Sequence, residues 1–184
     1  MAIRKHGRVR DAKLEFEAIS IEGGLLSPEW LSKVAQLAAG NQTEADYRIA
    51  KGLNLRDEIG RFWRIAQAHW KEFAAGLAAK SGGTALAERF VTGLLSESFG
   101  FGSLHQSKPI VIAERRYPLG FTALDNRVPV VIGPAASDID ALSPLFGDDG
   151  RRRSAFGLAQ EFLNAAEISQ WGLVSDGIIL RVLR

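Results

Sequence analysis

The sequence predicts a mixed α/β fold, in which a helical segment precedes a sheet that is flanked by helices. Apolar residues recur at helical spacing over residues 54–79 and 84–98, which indicates two amphipathic helices. Short β-branched runs bounded by proline and glycine, at 109–113 and 128–132, predict buried strands. An Asp-Gly pair between two apolar runs, at 175–177, predicts a closing hairpin because glycine adopts positive φ at little cost.

Three shorter elements are predicted before the first long helix. Alternation of apolar and charged residues indicates a half-buried strand at 14–18. Ser27 is placed to cap a helix over 28–39, with proline in its first turn. Thr43 is placed to cap a second, short helix over 44–51.

The long helix should bury one apolar stripe, and the elements after it are expected to alternate between helix and strand. Thr84 is placed to cap the next helix, and Ser154 is placed to open a helix over 155–166. Residues 135–150 are rich in Ser, Asp, Pro and Gly and are predicted to form a loop. These elements suggest that the chain has two parts. Residues 1–80 would contain one strand and the helical segment, and residues 81–184 would form the α/β domain. The predicted inward stripe of the long helix is Ile59, Phe62, Trp63, Ala66, Trp70, Phe73 and Leu77.

Composition narrows the possible classes of function. The 184 residues include no cysteine, which excludes disulfides and thiolate zinc sites and fits a reducing cytoplasm. No run of eighteen apolar residues and no signal peptide is present, so we expect a cytoplasmic protein without a membrane partner. The formal net charge of +2 makes the protein only mildly basic. The positions of the charged residues are therefore more informative than the net charge.

Few residues have the spacing that catalysis or metal binding requires. His6, His69 and His105 are scattered and lack the paired spacing of metal ligands. Neither a phosphate-binding glycine loop nor a G-x-S-x-G nucleophile motif occurs. A group of acids in the predicted loop lacks the EF-hand spacing and is better explained by turn formation. These acids are Asp138, Asp140, Asp148 and Asp149.

Positive charge is concentrated in two blocks. The first lies at 4–10 and the second is Arg151, Arg152 and Arg153, directly before a predicted helix. Each block could contact phosphates of a nucleic acid, or could simply be a solvated tail and a solvated helix start.

Several short phrases along the chain, taken in order, resemble one protein family. They are I-E-G-G-L-L at 21–26, L-R-D-E-I at 55–59, R-R-R-S at 151–154 with Q-E-F-L-N at 160–164, and W-G-L-V-S-D-G at 171–177. Together they resemble the N-terminal region of large bacterial DNA methylases of the type IIG restriction-modification and DISARM phage-defence kind. The order of the phrases and the last phrase carry most of the resemblance.

The resemblance implies a nuclease-like fold of the PD-(D/E)xK type, in which two acids hold Mg²⁺ and a lysine polarises the attacking water. The sequence departs from that pattern. Asp125 is the nearest candidate for the first acid, and Glu114 begins the nearest match to acid-x-lysine, with Arg116 in place of lysine. Arginine holds its proton too firmly to replace lysine in acid-base chemistry. The expected fold is thus a degenerate nuclease-like mixed sheet flanked by helices.

The methylase signatures are also missing from these residues. No Pro-Pro pair occurs, so the N-P-P-[YF] motif that holds the flipped base is not present. The resemblance therefore implies that S-adenosylmethionine binds, and methylation occurs, in a domain that follows residue 184. We expect the chain to be the front part of a longer protein and to hold no cofactor of its own.

The sequence thus predicts a non-catalytic N-terminal module of a restriction-modification or phage-defence DNA methyltransferase that positions DNA or partner domains. One alternative is a Mg²⁺-dependent nuclease that uses Glu114 and Asp125. A second alternative is a structural module that docks on other domains, such as the methylase domain, through the apolar strand at 180–183. The residues expected to contact DNA phosphates are Arg115, Arg116, Arg151, Arg152 and Arg153.

Overall fold

A computed structural model describes residues 18–148 and 150–184 of the chain. The described residues form four α-helices, a short π-helical segment and nine strands, so the prediction of a mixed α/β fold is confirmed. The predicted strand at 14–18, apart from Ala18, lies outside the described residues, as do the basic block at 4–10, with His6, and Asp149.

The helices are α1 (Pro28–Ala35), α2 (Leu55–Ala78), α3 (Thr84–Gly93) and α4 (Ala155–Ala165), and the π-helical segment Leu94–Ser98 continues α3. The strands are β1 (His105–Gln106), β2 (Ile110–Ile112), β3 (Arg115–Tyr117), β4 (Phe121–Ala123), β5 (Val128–Ile132), β6 (Ser143–Asp148), β7 (Arg151–Arg153), β8 (Gly172–Ser175) and β9 (Leu180–Leu183). The chain divides into two units, of which one ends at Leu55 and the other is Arg56–Arg184.

In the described part of the first unit, α1 is the one complete helix, and the residues after it form turns and irregular segments. The Ser27 hydroxyl accepts a hydrogen bond from the backbone N–H of Trp30 at 3.1 Å, which confirms the predicted cap. The helix ends at Ala35, earlier than the predicted 39, and Leu37 has a positive φ of 56°. The predicted helix over 44–51 is wrong. The Thr43 hydroxyl does accept the backbone N–H of Asp46 at 3.3 Å, as a cap would, but the chain makes only a turn before Arg48 adopts a left-handed conformation.

Two helices pack on one face of the sheet in the second unit. The apolar residues at helical spacing over 84–98 face the core, because Leu86, Phe90, Val91 and Leu95 are buried and Leu94 is partly buried against them. Phe73 of α2 lies in the same core cluster. The predicted boundary after residue 80 therefore falls inside one packed unit. The residue that precedes α3 is Gly83, with φ of 71° and no side-chain cap, so the expected capping by Thr84 is wrong.

The stripe predicted for α2 is only partly buried. Phe73 is 1% exposed, whereas Trp63 is 63% exposed and Trp70 is 45% exposed. Trp70 nevertheless contacts the rings of Phe73 and Phe90. The helical periodicity thus predicted the element correctly, but not the degree to which its apolar face is covered.

A five-stranded mixed sheet with strand order β1-β4-β5-β8-β9 forms the centre of the second unit. Neighbouring strands are antiparallel except for β5 and β8, which run parallel with Val130 opposite Leu173. Every residue of β5 is buried, as the sequence predicts for the central strand. Val130 and Ile132 face the α2 and α3 side, and Val131 faces α4.

Two hairpins accompany α4 on the other face of the sheet. β2 pairs with β3, and β6 pairs with β7, each pair forming a separate two-stranded sheet. Residues 143–148 therefore form a strand inside the segment that was predicted to be a loop. Ser154 caps α4, since its hydroxyl accepts a bond from the backbone N–H of Gly157 at 2.8 Å, as predicted.

The predicted closing hairpin is confirmed as β8 and β9. The Asp176 carboxylate accepts bonds from the backbone N–H groups of Ile178 and Ile179, at 2.9 and 2.8 Å, and this fixes the turn. Gly177 has the positive φ of 88° that its place in the turn requires.

Candidate nucleic-acid interface

The β2–β3 hairpin places two arginines on a short, exposed strand. Its turn is Ala113-Glu114, and both residues have positive φ, 47° and 64°. Two consecutive left-handed residues give the tight turn that matches the twist of paired strands. Arg115 and Arg116 follow at once and are exposed, while the next residue, Tyr117, is buried in the core.

The β6–β7 hairpin presents the second arginine block. Arg151 lies opposite Asp148, and Arg153 lies opposite Ser143, with a register irregularity between these pairs. Arg151 and Arg152 are exposed, whereas Arg153 is 7% exposed. The block that was expected to lie directly before a helix is thus a strand, and its three side chains have different environments.

Arg153 joins the two hairpins from within the protein. Its guanidinium donates to the backbone oxygen of Arg116 at 3.1 Å and to the carboxylate of Glu161 at 3.5 Å. It also lies over the ring of Tyr117, 5.7 Å from the ring centroid. Burial and these contacts turn Arg153 inward, so its role in this arrangement is to hold β3 and β7 together.

Two acids partly neutralise the arginines around this junction. Asp148 lies 3.9 Å from the guanidinium of Arg116, and Glu161 lies 3.3 Å from that of Arg151. The side chains of Arg116 and Arg151 are 57% and 65% exposed, so both pairs are in contact with solvent. Exposed pairs of this kind are individually weak and exchange readily for other anions. No ion pair is formed by Arg152 within the described residues.

We call the exposed arginines of β3 and β7 the arginine surface: Arg115, Arg116, Arg151 and Arg152. The structure links the strands that carry these two arginine pairs, because Arg153 of β7 donates a hydrogen bond to the backbone oxygen of Arg116 in β3. Sequence reasoning identified these residues but missed the acids that accompany them. Glu161 is ten residues from Arg151 and on a different element, so no local spacing indicates the pair.

The two nuclease candidates occupy the turns of different hairpins. Glu114 lies in the β2–β3 turn, and Asp125 lies in the β4–β5 turn among Leu124 and Asn126, all three with positive φ. β2 and β3 form a separate sheet from β4 and β5. Over residues 18–148 and 150–184, no group of three His, Asp or Glu side chains is arranged to hold a metal ion. The nuclease alternative therefore stays a prediction.

The two described histidines bind different partners. His69 lies 3.3 Å from the carboxylate of Glu97 in the π-helical segment. His105 contacts the backbone oxygen of Ser103 through Nδ1 and the hydroxyl of Thr122 through Nε2, at 2.7 and 3.2 Å. Neither histidine lies in the arginine surface.

Perturbed ionisation occurs outside the arginine surface. The carboxylate of Glu58 accepts hydrogen bonds from the side chain of Arg61, which lowers the pKa of Glu58 and raises that of Arg61. Hydrogen bonds from Thr43 lower the pKa of Asp46, its hydroxyl having the largest effect. Glu58 and Arg61 form this pair within α2, and Thr43 and Asp46 form theirs in the turn that follows α1.

Comparison of the chain with models of protein families, with curated proteins and with solved structures finds no match. In the part of the chain that the structure describes, the helices are too short or too polar to cross a membrane.

Proposed function

We propose that this chain is the N-terminal module of a bacterial DNA methyltransferase of the restriction-modification or phage-defence type, and that it contacts DNA through the arginine surface. The observation that carries the DNA contact is that the arginine-bearing strands β3 and β7 lie on neighbouring hairpins, since Arg116 of one hairpin is contacted by Arg153 and Asp148 of the other. Guanidinium groups bind phosphate oxygens through two parallel N–H donors, which makes arginine well suited to backbone contacts.

The kind of contact follows from the position of these side chains. They lie on short strands beside a helix, and none of them belongs to the N-terminal turns of a recognition helix. Contacts to phosphates fix position and orientation on the duplex but carry no sequence information directly. In this proposal the module positions DNA, while a separate domain of the same protein binds S-adenosylmethionine and transfers the methyl group. We expect the protein to act in the cytoplasm.

The family part of the proposal rests on the order of the phrases described above and on the kind of fold. A mixed sheet with helices on both faces is compatible with a nuclease-like domain that has lost its acids and lysine. The sheet strand β5 reads Val128-Pro129-Val130-Val131-Ile132, and all of its side chains are apolar and buried. It therefore has no carboxylate to offer to a metal.

The DNA contact is tested by fluorescence anisotropy with a labelled duplex over a range of salt concentrations. Replacing the four arginines of the arginine surface by glutamine should reduce the slope of log K against log salt by about 3.6, since each phosphate contact contributes about 0.9. The matched control removes the same charge from exposed positions of or near α2. Its substitutions are Arg56→Gln, Arg64→Gln, Lys71→Gln and Lys80→Gln.

Two results would remove the DNA contact from the proposal. The first is the absence of binding by the unaltered chain at low salt. The second is an equal reduction of the salt dependence in the control variant, because DNA binding would then depend on net charge and not on the arginine surface.

A second candidate function is supported by the edge of the sheet. β9 has only β8 as a partner among the described strands, and Val182 in β9 is 46% exposed. An apolar edge strand is a ready site for pairing with another strand. If docking is the main function, Val182→Lys should abolish co-purification with the methylase domain and leave DNA binding unchanged.

A further inference from the structure

Three side chains form a short chain of hydrogen bonds beside strand β1. His105 of β1 lies directly opposite Thr122 of β4, so both side chains project from the same face of the sheet. The imidazole Nε2 lies 3.2 Å from the Thr122 hydroxyl oxygen, and that oxygen lies 2.7 Å from the side-chain oxygen of Asn126 in the β4–β5 turn. Thr122 is fully buried, whereas His105 and Asn126 are exposed.

The other ring nitrogen of His105 carries a hydrogen. Nδ1 lies 2.7 Å from the backbone oxygen of Ser103, and a carbonyl oxygen can only accept, so Nδ1 must be the donor. In a neutral imidazole one nitrogen donates and the other accepts. Nε2 of a neutral His105 is therefore an acceptor, and it requires a hydrogen from the Thr122 hydroxyl.

The Thr122 hydroxyl cannot donate to both of its neighbours. It has one hydrogen, and the side-chain oxygen of Asn126 can only accept, so the contact with Asn126 uses that hydrogen. Nε2 then faces the hydroxyl oxygen with no hydrogen between them unless Nε2 itself carries one. The arrangement in which Asn126 turns its oxygen towards Thr122 therefore belongs to a doubly protonated, positively charged His105.

A half turn of the Asn126 side-chain amide gives the arrangement that suits a neutral His105. The amide oxygen and nitrogen have nearly the same size, so the half turn requires no movement of the backbone. The amide nitrogen then donates to the Thr122 oxygen, and the hydroxyl donates to Nε2. All the contacts are hydrogen bonds in both arrangements, which differ by one proton on the imidazole. Solvent supplies that proton, since His105 is exposed.

We propose that His105, Thr122 and Asn126 form a pH-dependent switch that reverses the side-chain amide of Asn126. Histidine side chains change their charge between about pH 5 and 8. At the lower pH Asn126 presents its N–H donors outward, and at the higher pH it presents its oxygen outward. The β4–β5 turn therefore offers a partner a hydrogen-bond donor at lower pH and an acceptor at higher pH.

Few charged side chains lie on the elements around His105. Strands β1 and β4 contain no other charged residue. The nearest charges along the chain are Lys108 after β1, and Asp125 and Arg127 in the β4–β5 turn. His105 forms no ion pair with any residue that the structure describes. Asp125 is therefore the carboxylate whose effect the experiment has to separate from that of His105.

The test is NMR spectroscopy of the isotopically labelled full chain between about pH 5 and 8. The nuclear Overhauser cross-peak between the Asn126 side-chain amide protons and the Thr122 methyl group should be strong at high pH and weak at low pH. Its midpoint should equal that of the His105 ring signals. His105→Gln should abolish this pH dependence. The matched controls His69→Gln and Asp125→Asn should retain it, because neither residue belongs to the chain of hydrogen bonds.

Thr122→Val tests the hydroxyl between the two exposed groups. The variant keeps the β-branched shape, so His105 should still titrate while the Asn126 amide no longer follows it. If Asn126 follows His105 without the hydroxyl, the imidazole acts through its charge alone and the proposal is overturned. It is also overturned if the cross-peak is constant in the unaltered chain, or if its change persists in His105→Gln. None of these substitutions alters the arginine surface.

Discussion

Gly177 lies directly against the ring of Phe73. A Cβ placed on residue 177 would lie 2.8 Å from Cε2 of that ring and closer still to Cζ. The closing hairpin thus packs on Phe73 of α2, which is 1% exposed, and both belong to the second unit. The contact between Gly177 and Phe73 therefore holds the turn between β8 and β9 against α2.

Gly177→Ala should destabilise the protein for two reasons, its positive φ of 88° and the collision with Phe73. We expect a loss of about 3 kcal/mol in the free energy of unfolding, of which about 1–2 kcal/mol is the left-handed backbone. Urea denaturation measures the loss. Gly120→Ala is the matched control, because Gly120 has φ of 91° and no atom within 4 Å of the new Cβ. Equal losses in the two variants would exclude the role of the Phe73 contact.

Arg153 should contribute to folding and Arg152 should not, although they are adjacent. Arg153→Ala removes a bond to the backbone oxygen of Arg116 and a contact with Glu161, and should lower the free energy of unfolding by about 2 kcal/mol. Arg152→Ala changes an exposed side chain and should stay within about 0.5 kcal/mol. Chemical denaturation of both variants is decisive. A stable Arg153→Ala protein would show that the hairpins do not depend on this side chain.

Asp148 should act as an internal competitor for phosphate. It lies 3.9 Å from the guanidinium of Arg116, so Asp148→Asn should free that side chain and raise the affinity for duplex DNA about twofold to fivefold at low salt. The gain should shrink as salt is added, because screening weakens contacts between exposed charges. Glu72→Gln makes the same change of charge on α2 and should have less effect. If the two variants gain affinity equally, Asp148 has no specific role.

Ser154 should stabilise α4 through its cap. The Ser154 hydroxyl accepts the backbone N–H of Gly157 at 2.8 Å, and its loss in Ser154→Ala should cost about 1 kcal/mol in the free energy of unfolding. Thermal denaturation followed by circular dichroism detects such a change. Ser154→Thr retains the hydroxyl and should recover most of the stability. A threonine variant as unstable as the alanine variant would point to packing around the buried Ser154 instead.

The pKa of Asp46 should depend on Thr43. Hydrogen bonds from the Thr43 hydroxyl and backbone N–H favour the ionised carboxylate and lower its pKa below the ordinary 3.8. The stabilisation is therefore present above the unfolded pKa and is lost as the pH falls through the lowered folded pKa. Thr43→Val should raise the pKa of Asp46 part of the way back, since the backbone donor remains. Carboxyl carbon shifts titrated by NMR follow this directly.

Thr92→Val is the control for that titration. Its hydroxyl donates to the backbone oxygen of Glu88 and has no contact with Asp46, so the pKa of Asp46 should not move. An Asp46 pKa that is the same in Thr43→Val as in the unaltered chain would contradict the assignment.

The elements that the sequence predicted well are those with a strong local signal. α2, α3 and β5 follow from regular apolar spacing or from a continuous β-branched run, and α4 follows from its serine cap. The strands β6 and β7 were missed because proline, glycine and three arginines interrupt any strand pattern. Pairing between these strands, with Phe146 buried beneath them, outweighs their low intrinsic preference for strand.

The sequence predicted the arginines of the candidate site but not the contacts that they make. Runs of arginine indicate a basic region, but nothing local shows that Arg153 reaches the backbone of Arg116 or that Glu161 pairs with Arg151. Likewise, the spacing along α2 identifies an apolar face but does not tell whether Trp63 is covered by other elements. Both properties depend on tertiary packing, which sequence periodicity does not encode.

The parallel pairing of β5 with β8 has a consequence for synthesis on the ribosome. Val130 pairs with Leu173, which is synthesised 43 residues later. Until β8 has been made, β5 can pair with β4 only, and its other edge has no partner strand. Contacts between distant parts of a chain form slowly, and an unpaired apolar strand is prone to aggregate. We therefore expect nascent chains halted before residue 172 to need chaperone protection, and those that include β8 and β9 to be released from it.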